Sequence, residues 1–140
     1  MKALTLWQPW ASLIAACAKT IETRSWQTSY RGALAIHASA RTKVLQSGEI
    51  TADASRAACS IVGPFNALPR GAIIAICDLV ECVPVEDLWP ELATMGDEQW
   101  FGDYSQGRFA WILSDIRVLN PPVSMKGALG LWEWKEPEMA

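Results

Sequence analysis

The run from residue 72 to residue 83 constrains the fold more than any other part of the chain. It is rich in Ile, Val, Cys and Ala, and Pro84 ends it. β-branched residues suit a pleated sheet, and a continuous apolar run of this length is typical of a strand that is buried on both faces. The run therefore predicts the central strand of a sheet. Asp78 and Glu81 fall toward its far end, where we expect them to be solvated or paired at a sheet edge; a position facing a cleft is the alternative.

The rest of the chain alternates shorter strand-like and helix-like patterns. Pro9 suits the first position of a helix, because that position needs no backbone N–H, and apolar residues follow it at helical spacing. In chain order the predicted elements are a strand at residues 4–7, a helix at 9–18, strands at 20–26 and 33–38, helix-compatible sequence at 39–62, and strands at 108–119 and 129–134.

The connections complete the predicted topology. Residues 28–32 have turn chemistry, so the strands on either side of them are expected to pair as a hairpin. The helix-compatible sequence is broken near Gly48, and Pro121-Pro122 predicts a rigid turn. Five or six strands and two or more helices, without βαβ alternation, predict an α+β domain built around a mixed, barrel-like sheet.

Composition limits the size, the compartment and the metal chemistry. A chain of 140 residues, 51% of them hydrophobic, predicts one domain over residues 1–140 around one core. Its apolar stretches are too short for a bilayer, and its N-terminus lacks a signal-peptide pattern, so we expect a soluble, cytoplasmic protein with no membrane partner. Four cysteines without CxxC spacing and one histidine predict reduced thiols, no zinc site and no cofactor. The oligomeric state is not indicated.

Charge is distributed unevenly along the chain. Residues 1–45 contain six basic residues and one acidic residue, whereas residues 71–107 contain eight acidic residues and neither Lys nor Arg. The pI of about 5.1 argues against a domain that wraps long duplexes nonspecifically. A local contact with one phosphate or with a short single strand remains open.

A charged segment at residues 19–26 indicates where a site would lie. Because strand side chains alternate, Glu22, Arg24 and Trp26 would share one face with Thr20. Glu and Arg are almost never buried unless they are paired, so this face suits the floor of a polar cleft better than a core. The alternative is an ordinary half-exposed strand with solvated charges.

The order of residues resembles that of the ASCH domain, whose core motif is GxKxxExR. Lys19, Glu22 and Arg24 match this motif, and Cys17 stands where the glycine is expected. The resemblance extends over nearly the whole chain, through residues 6–11, 19–26, 31–39, 108–111, 121–122 and 127–132. It implies a PUA-like fold, which is a small, mixed, partly open β-barrel with flanking helices and a cleft beside the motif. It also implies RNA, single-stranded nucleic acid, a nucleoside or a nucleotide as the partner.

Two mechanisms are compatible with these residues. In a binding module, Glu22 would accept from an exocyclic amine and Lys19 or Arg24 would meet the phosphate. The base would stack on one of three rings, Trp10, Trp26 and Trp111, with Trp26 favoured because it shares a face with the charges. Removing the charge of Lys19 or Arg24 is then expected to weaken binding and to leave folding intact.

The alternative is a small hydrolase. ASCH-like amidohydrolases that deacetylate N4-acetylcytidine look like Lys-Thr-x-Thr-x-Arg at this position, and Glu22 stands here in place of their second threonine, the nucleophile. A Lys19–Glu22 acid/base pair acting on water would be a substitute. A metal-independent ribonuclease, in which a lysine activates the 2′-hydroxyl, is a further possibility that the resemblance implies.

Other chemistry-bearing residues give weaker predictions. His37 is a candidate acid/base group at the mouth of the cleft, although a lone histidine of this kind is more often structural. Ser39, Ser124 and Lys126 could form a hydroxyl–base set, but no nucleophile elbow is visible. The acidic segment, residues 86–103, predicts irregular or short helical structure with a solvated surface; a gating loop or a protein-interaction module is the less favoured interpretation.

Overall fold

The computed structural model describes residues 1–41 and 50–137. These residues form six strands and two α-helices, together with three 3₁₀ segments. The elements are β1 (Lys2–Leu6), α1 (Trp10–Ala15), β2 (Ile21–Arg24), β3 (Gly32–Ala38), α2 (Ala52–Val62), a 3₁₀ turn (Phe65–Ala67), β4 (Ala72–Pro84), two 3₁₀ segments (Val85–Thr94 and Gly96–Trp100), β5 (Phe109–Ser124) and β6 (Leu131–Glu133).

The strands form one mixed sheet that curls into a half-barrel. Their order is β2-β5-β4-β3-β1-β6, and β1 runs parallel to β3 whereas the other pairs are antiparallel. In a flat sheet, β2 would lie about 19 Å from β1, at four strand spacings. Arg24 in β2 nevertheless donates from Nη2 to the carbonyl oxygen of Thr5 in β1 at 3.1 Å. The sheet must therefore bend far enough to bring these strands together.

The central strand lies where the apolar run predicts it. One face of β4 contributes Ile74 and Cys77 to the core that also holds α1 and Trp111, and the other face contributes Ile73 and Ile76 to a second cluster around Trp134. Burial of both faces is thus confirmed. Burial is also the main reason that the pKa of the Cys77 thiol rises to about 12, as expected for an inert core thiol.

Two predicted connections are wrong. The strands at 20–26 and 33–38 do not form a hairpin, because β2 pairs with β5 and β3 lies between β1 and β4. Five of the seven residues of β3 are buried and none is an acid, a lysine or an arginine, which suits an interior strand, whereas β2 carries Glu22 and Arg24, and charges suit an edge.

The second error concerns Pro121-Pro122, which lies inside β5 and does not form a turn. Ile73 pairs with Val123 and Ala75 with Val118, so the prolines lie in a bulge between these pairs. A bulge tolerates them because its residues do not have to donate to the neighbouring strand.

The ends of several elements also differ from the predictions. Helix α1 ends at Ala15, and Cys17 adopts a left-handed backbone with φ of 61°. A position of this kind favours glycine, which accounts for the glycine expected there in the motif. Strand β2 ends at Arg24, so Trp26 lies beyond the alternating face that was predicted to include it. The predicted break near Gly48 lies outside the described residues.

Candidate functional site

A cleft of about 550 Å³ opens between the half-barrel and α2. Three of the predicted site residues, Trp10, Glu22 and Arg24, line it. The full lining comprises Thr5, Leu6, Trp7, Trp10, Glu22, Thr23, Arg24, Ile50, Thr51, Ala54, Trp100, Phe101, Gly102, Asp103 and Arg108. This volume falls within the range of roughly 300–1,000 Å³ that is usual for small-molecule sites.

Lys19 lies beneath the floor of the cleft and does not line it. Its side chain is fully buried, and Nζ donates to the carbonyl oxygens of Ile21, at 2.6 Å, and of Phe101. Oε1 of Glu22 lies 3.3 Å from the same nitrogen. An ammonium group has three N–H donors, and three acceptors surround this one. The geometry therefore makes Lys19 a group that positions Glu22 and the Phe101 backbone.

Glu22 is the charged group that connects the buried Lys19 with the cleft. Its Oε2 lies 3.2 Å from Nε of Arg24, in an ion pair without hydrogen-bond alignment. Arg24 is also fixed by its bond to the Thr5 carbonyl. A cation thus lies against each carboxylate oxygen, and Glu22, at 8% exposure, has one fixed orientation at the cleft floor.

The rim beside Glu22 contains a second pair of opposite charges. Arg108 donates from Nε to the carbonyl oxygen of Asp103 at 3.1 Å, and from Nη2 to that of Thr23 at 3.2 Å. Hydrogen bonds from the Ser105 hydroxyl and backbone N–H, and the charge of Arg108, lower the pKa of Asp103. Asp103 is therefore an acceptor at neutral pH.

Aromatic rings form the walls of the cleft. Trp7 and Trp100 are 48% and 40% exposed, and the Trp10 ring packs against Phe101 with centroids 6.4 Å apart. The guanidinium of Arg41 lies 3.9 Å from the centre of the Trp7 ring. Sequence reasoning missed Trp7 and Trp100 as site residues. Trp7 adjoins the predicted helix start, which was a usable signal, but only the tertiary structure brings Trp100 to the cleft.

The other two predicted stacking residues do not reach the cleft. Trp111 is fully buried in the core, and its ring stands at 89° to that of Trp26 with centroids 4.7 Å apart. Trp111 donates from Nε1 to the Trp26 carbonyl oxygen at 3.3 Å. The chain bends after β2, so Trp26 covers Trp111 and does not extend the Glu22–Arg24 face.

His37 lies in a separate, closed cluster outside the cleft. It is 1% exposed, and its Nε2 donates to the Met125 carbonyl oxygen at 2.6 Å while Nδ1 lies 3.1 Å from the Thr5 hydroxyl. Trp132 donates to the same hydroxyl at 3.2 Å. A Cβ placed on Gly127 would come within 2.7 Å of the His37 ring, so the backbone closes tightly over this cluster. Both ring nitrogens of His37 thus have partners within the protein, and the residue does not line the cleft.

The predicted hydroxyl–base set is not assembled at the cleft either. Ser39 accepts from the backbone N–H of Arg41 at 3.1 Å. Ser124 and Lys126 are exposed, and none of the three residues lines the cleft. Asp78 and Glu81 are paired at the sheet surface, with Arg117 at 3.8 Å and with Arg31 at 2.9 Å.

The acidic segment contributes to the site, and the prediction of a simply solvated surface is wrong for Glu98. Its carboxylate accepts from the backbone N–H groups of Thr20 and Ile21 at 3.0 and 3.1 Å, and from the Thr20 hydroxyl. These donors belong to the start of the edge strand β2 and its approach. Glu98 therefore fixes the charged motif against the wall that carries Trp100.

Within residues 1–41 and 50–137, no helix is long and apolar enough to cross a membrane. The same residues contain no group of three or more His, Cys, Asp and Glu side chains arranged to hold a metal ion.

Sequence comparison identifies relatives for most of the chain. The family model of the ASCH domain matches residues 4–123. Activating signal cointegrator 1 from Homo sapiens is 28% identical over 131 residues, and the protein of that name from Mus musculus is 27% identical over the same length. These alignments cover 93% of this chain but 22% of each relative, so the chain spans about a fifth of their length.

Solved structures show the same fold. A crystal structure of ASCH from Zymomonas mobilis superposes with a TM-score of 0.61 at 15% identity, covering 96% of this chain and 87% of that one. Two mutant forms of the Zymomonas mobilis protein give TM-scores of 0.57 and 0.58. The half-barrel with flanking helices is thus the ASCH, PUA-like fold.

Proposed function

The chain belongs to the ASCH domain family, and from this premise we propose that its cleft binds a nucleobase or nucleotide of single-stranded RNA. The observation that carries the proposal is the combination, in one cleft, of exposed tryptophan rings, two arginines and a fixed carboxylate. These are the groups that stack a base, meet a phosphate and accept from a base edge.

The aromatic walls support stacking of an unpaired base. Trp7 and Trp100 both line the cleft and are exposed residues, although aromatic rings of this size usually contribute to a core. Every base has a π-face, so such rings bind bases with little regard to sequence and contribute about 1–3 kcal/mol per base.

The arginines support an anionic ligand. Arg24 and Arg108 both line the cleft, and their side chains are 26% and 27% exposed. The N-terminal turn of α2 also faces the cleft through Thr51 and Ala54, and the positive end of a helix dipole favours negative charge. The two arginines thus offer guanidinium groups to a phosphate in a cleft whose other charged lining residues are Glu22 and Asp103.

Binding accounts for the geometry better than the Lys19–Glu22 acid/base mechanism. Lys19 is sealed beneath the floor, and its donors face two carbonyl oxygens and Glu22. Glu22 is the member of the pair that a ligand can touch. Hydrolysis of N4-acetylcytidine, or RNA cleavage, would therefore have to use Glu22 on water or on the ribose without direct help from Lys19.

Titration of the protein with short single-stranded RNA tests the stacking wall. Trp100→Ala is expected to weaken binding by about 1–3 kcal/mol, the usual contribution of one stacked base. Trp26→Ala, which removes a partly exposed ring outside the cleft, is the matched control and should bind like the parent. If the Trp26 variant lost binding and the Trp100 variant bound like the parent, the site would lie on the surface around Trp26 and not in the cleft.

Salt dependence tests the arginines. Arg108→Gln should weaken binding and reduce the slope of log K against log salt by about 0.7, the value for one phosphate of a single strand. Arg117→Gln is the control, because Arg117 is ion-paired with Asp78 and Asp115 away from the cleft. Equal losses in both variants would mean that the contribution is a general charge effect.

Turnover is tested separately. The protein is incubated with N4-acetylcytidine and with mixed-sequence RNA, and cytidine or RNA fragments are measured against the Glu22→Gln variant. Binding without product supports a module that binds RNA and does not modify it. Product that depends on Glu22 would instead establish the hydrolase or ribonuclease.

A further inference from the structure

We infer that the cleft selects guanine, by binding the Watson–Crick edge of the base with the carboxylate of Glu22. This inference rests on the proposed function, because it names the base that the same cleft would take. Its premise is that Lys19 and Arg24 hold the carboxylate of Glu22 in place while Glu22 still lines the cleft.

The carboxylate of Glu22 keeps acceptor capacity for a ligand. A carboxylate offers about four lone-pair positions on two oxygens and no donor. Lys19 lies against Oε1 at 3.3 Å and Arg24 against Oε2 at 3.2 Å. Each oxygen thus has one cationic neighbour within the protein and further capacity for a ligand. Both oxygens of this held carboxylate therefore keep lone pairs, and Glu22 reaches the cleft with 10% of its side chain exposed.

The Watson–Crick edges of the four bases differ in their arrangement of donors and acceptors. Guanine places two N–H donors side by side, at N1 and at the exocyclic N2. In adenine and cytosine the exocyclic amine stands beside a ring nitrogen that accepts, and in uracil the single N–H is flanked by two carbonyl oxygens. A pair of acceptors with no donor matches guanine, whereas the other three bases would each set an acceptor against an acceptor.

A cationic ligand with the same pair of donors fits this cleft less well than a guanine nucleotide. A guanidinium group also places two N–H groups side by side, and tryptophan rings would stack on it. Arg24 and Arg108 line the same cleft and already lie against its two carboxylates, Glu22 and Asp103, so a bound guanidinium would add a third cation to two anions. A guanine nucleotide is neutral at the base and negative at the phosphate, so it matches both the carboxylate and the arginines.

Asp103 is the only other carboxylate among the described residues that line the cleft. Its Oδ1 accepts from the backbone N–H of Ser105 at 3.0 Å, and its side chain is 60% exposed at the rim. An exposed side chain that is engaged by its own loop is less suited to fix a base edge than the held carboxylate of Glu22.

The test measures binding of the four nucleoside monophosphates, which share the phosphate and the ribose. GMP is expected to bind more tightly than AMP, CMP or UMP, by roughly 5- to 150-fold for one bidentate contact. Glu22→Gln should abolish this preference, because an amide presents one acceptor and one donor. Glu91→Gln, which removes one exposed carboxylate of the acidic segment away from the cleft, is the matched control and should keep the preference.

Ligand variants test the same contact without altering the fold. Inosine monophosphate lacks the N2 amine, and 1-methylguanosine monophosphate lacks the N1 proton, so each should bind less tightly than GMP to the parent protein. If the parent protein bound both analogues as tightly as it binds GMP, the inference would be overturned. This result would stand even if Glu22→Gln failed to fold.

The outcomes separate the two proposals. Equal binding of all four nucleotides overturns guanine selection and leaves the proposed binding function standing. No binding of any nucleotide or of short RNA overturns the proposed function itself. If Asp103→Asn abolishes the preference and Glu22→Gln does not, the contact is assigned to the wrong carboxylate.

Discussion

Two buried polar clusters meet at Thr5, and only one of them opens to a cleft. The cleft cluster consists of Lys19, Glu22 and Arg24, and the closed cluster consists of His37 and Trp132 with the Thr5 side chain. The Thr5 carbonyl oxygen accepts from Arg24, whereas its hydroxyl contacts the other two residues. One residue of β1 therefore belongs to a prospective binding site through its backbone and to a packing cluster through its side chain.

The difference between the clusters shows which buried polar groups can serve a ligand. In the closed cluster, both ring nitrogens of His37 have partners within the protein, and Gly127 packs against the ring. In the cleft cluster, Lys19 is likewise surrounded, but Glu22 keeps acceptor capacity on a surface that lines the cleft. Burial and polarity are common to both clusters, so access distinguishes them.

The largest effect is expected at the base of the cleft cluster. Lys19→Met leaves Glu22 and two carbonyl oxygens without their cation, and removal of one partner of a buried pair costs about 3–5 kcal/mol. The measurement is the free energy of unfolding in urea. Lys2→Met, which removes an exposed ion pair with Glu133, should change it by about 1 kcal/mol or less. Equal stability of the two variants would show that Lys19 is not a structural charge. Because Lys19 is fully buried, this prediction differs from the sequence-based expectation that removing its charge leaves folding intact.

The closed cluster should respond in stability alone. In Gly127→Ala the new methyl carbon would lie 2.6 Å from the Thr5 hydroxyl oxygen and 2.7 Å from the His37 ring, and overpacking of this kind costs about 1–3 kcal/mol. Thermal unfolding measures the cost, and RNA titration should give the parental affinity. A variant that is stable but no longer binds RNA would break the distinction between the two clusters.

Thr5→Val tests the junction with a smaller change. The substitution removes the hydroxyl that contacts His37 and Trp132 and keeps the carbonyl oxygen that binds Arg24. A loss of about 1–3 kcal/mol is expected, because two hydrogen bonds are lost and the His37 and Trp132 ring nitrogens are left without this partner. Chemical denaturation and nucleotide titration together should show reduced stability with unchanged affinity. Reduced affinity would indicate that the two clusters are coupled through β1.

The smallest effect concerns pH at the rim of the cleft. The pKa of Asp103 lies below its ordinary value of 3.8, chiefly through Ser105, so its contribution to stability is present above that value. The contribution is lost as the pH falls through the lowered pKa of the folded state. Unfolding measured between pH 5 and pH 3 should therefore show a shallower loss in Asp103→Asn than in the parent. Identical dependence of stability on pH in the two proteins would show that Asp103 does not contribute in this way.

The alternating pattern and the apolar run were sufficient to predict much of the fold. The run at residues 72–83 identified β4, since burial on both faces requires a continuous apolar composition. Strand pairing was not predictable from neighbouring sequence, because β2 pairs with β5, about ninety residues away. Pairing depends on which strands occupy the edge and on the curl of the sheet, and neither is a local property of the chain.

For the site, the sequence determined the chemistry and the tertiary structure decided the access. Lys19, Glu22 and Arg24 were identifiable because their spacing matches the ASCH motif and because a strand face with Glu22 and Arg24 suits a polar cleft better than a core. Only the curled sheet and the acidic segment decide that Lys19 is covered, that Trp26 and Trp111 lie elsewhere, and that Trp7 and Trp100 wall the cleft. The physical reason is that solvent access depends on residues distant in sequence: the buried Lys19 donates to the carbonyl oxygen of Phe101, 82 positions away in the chain.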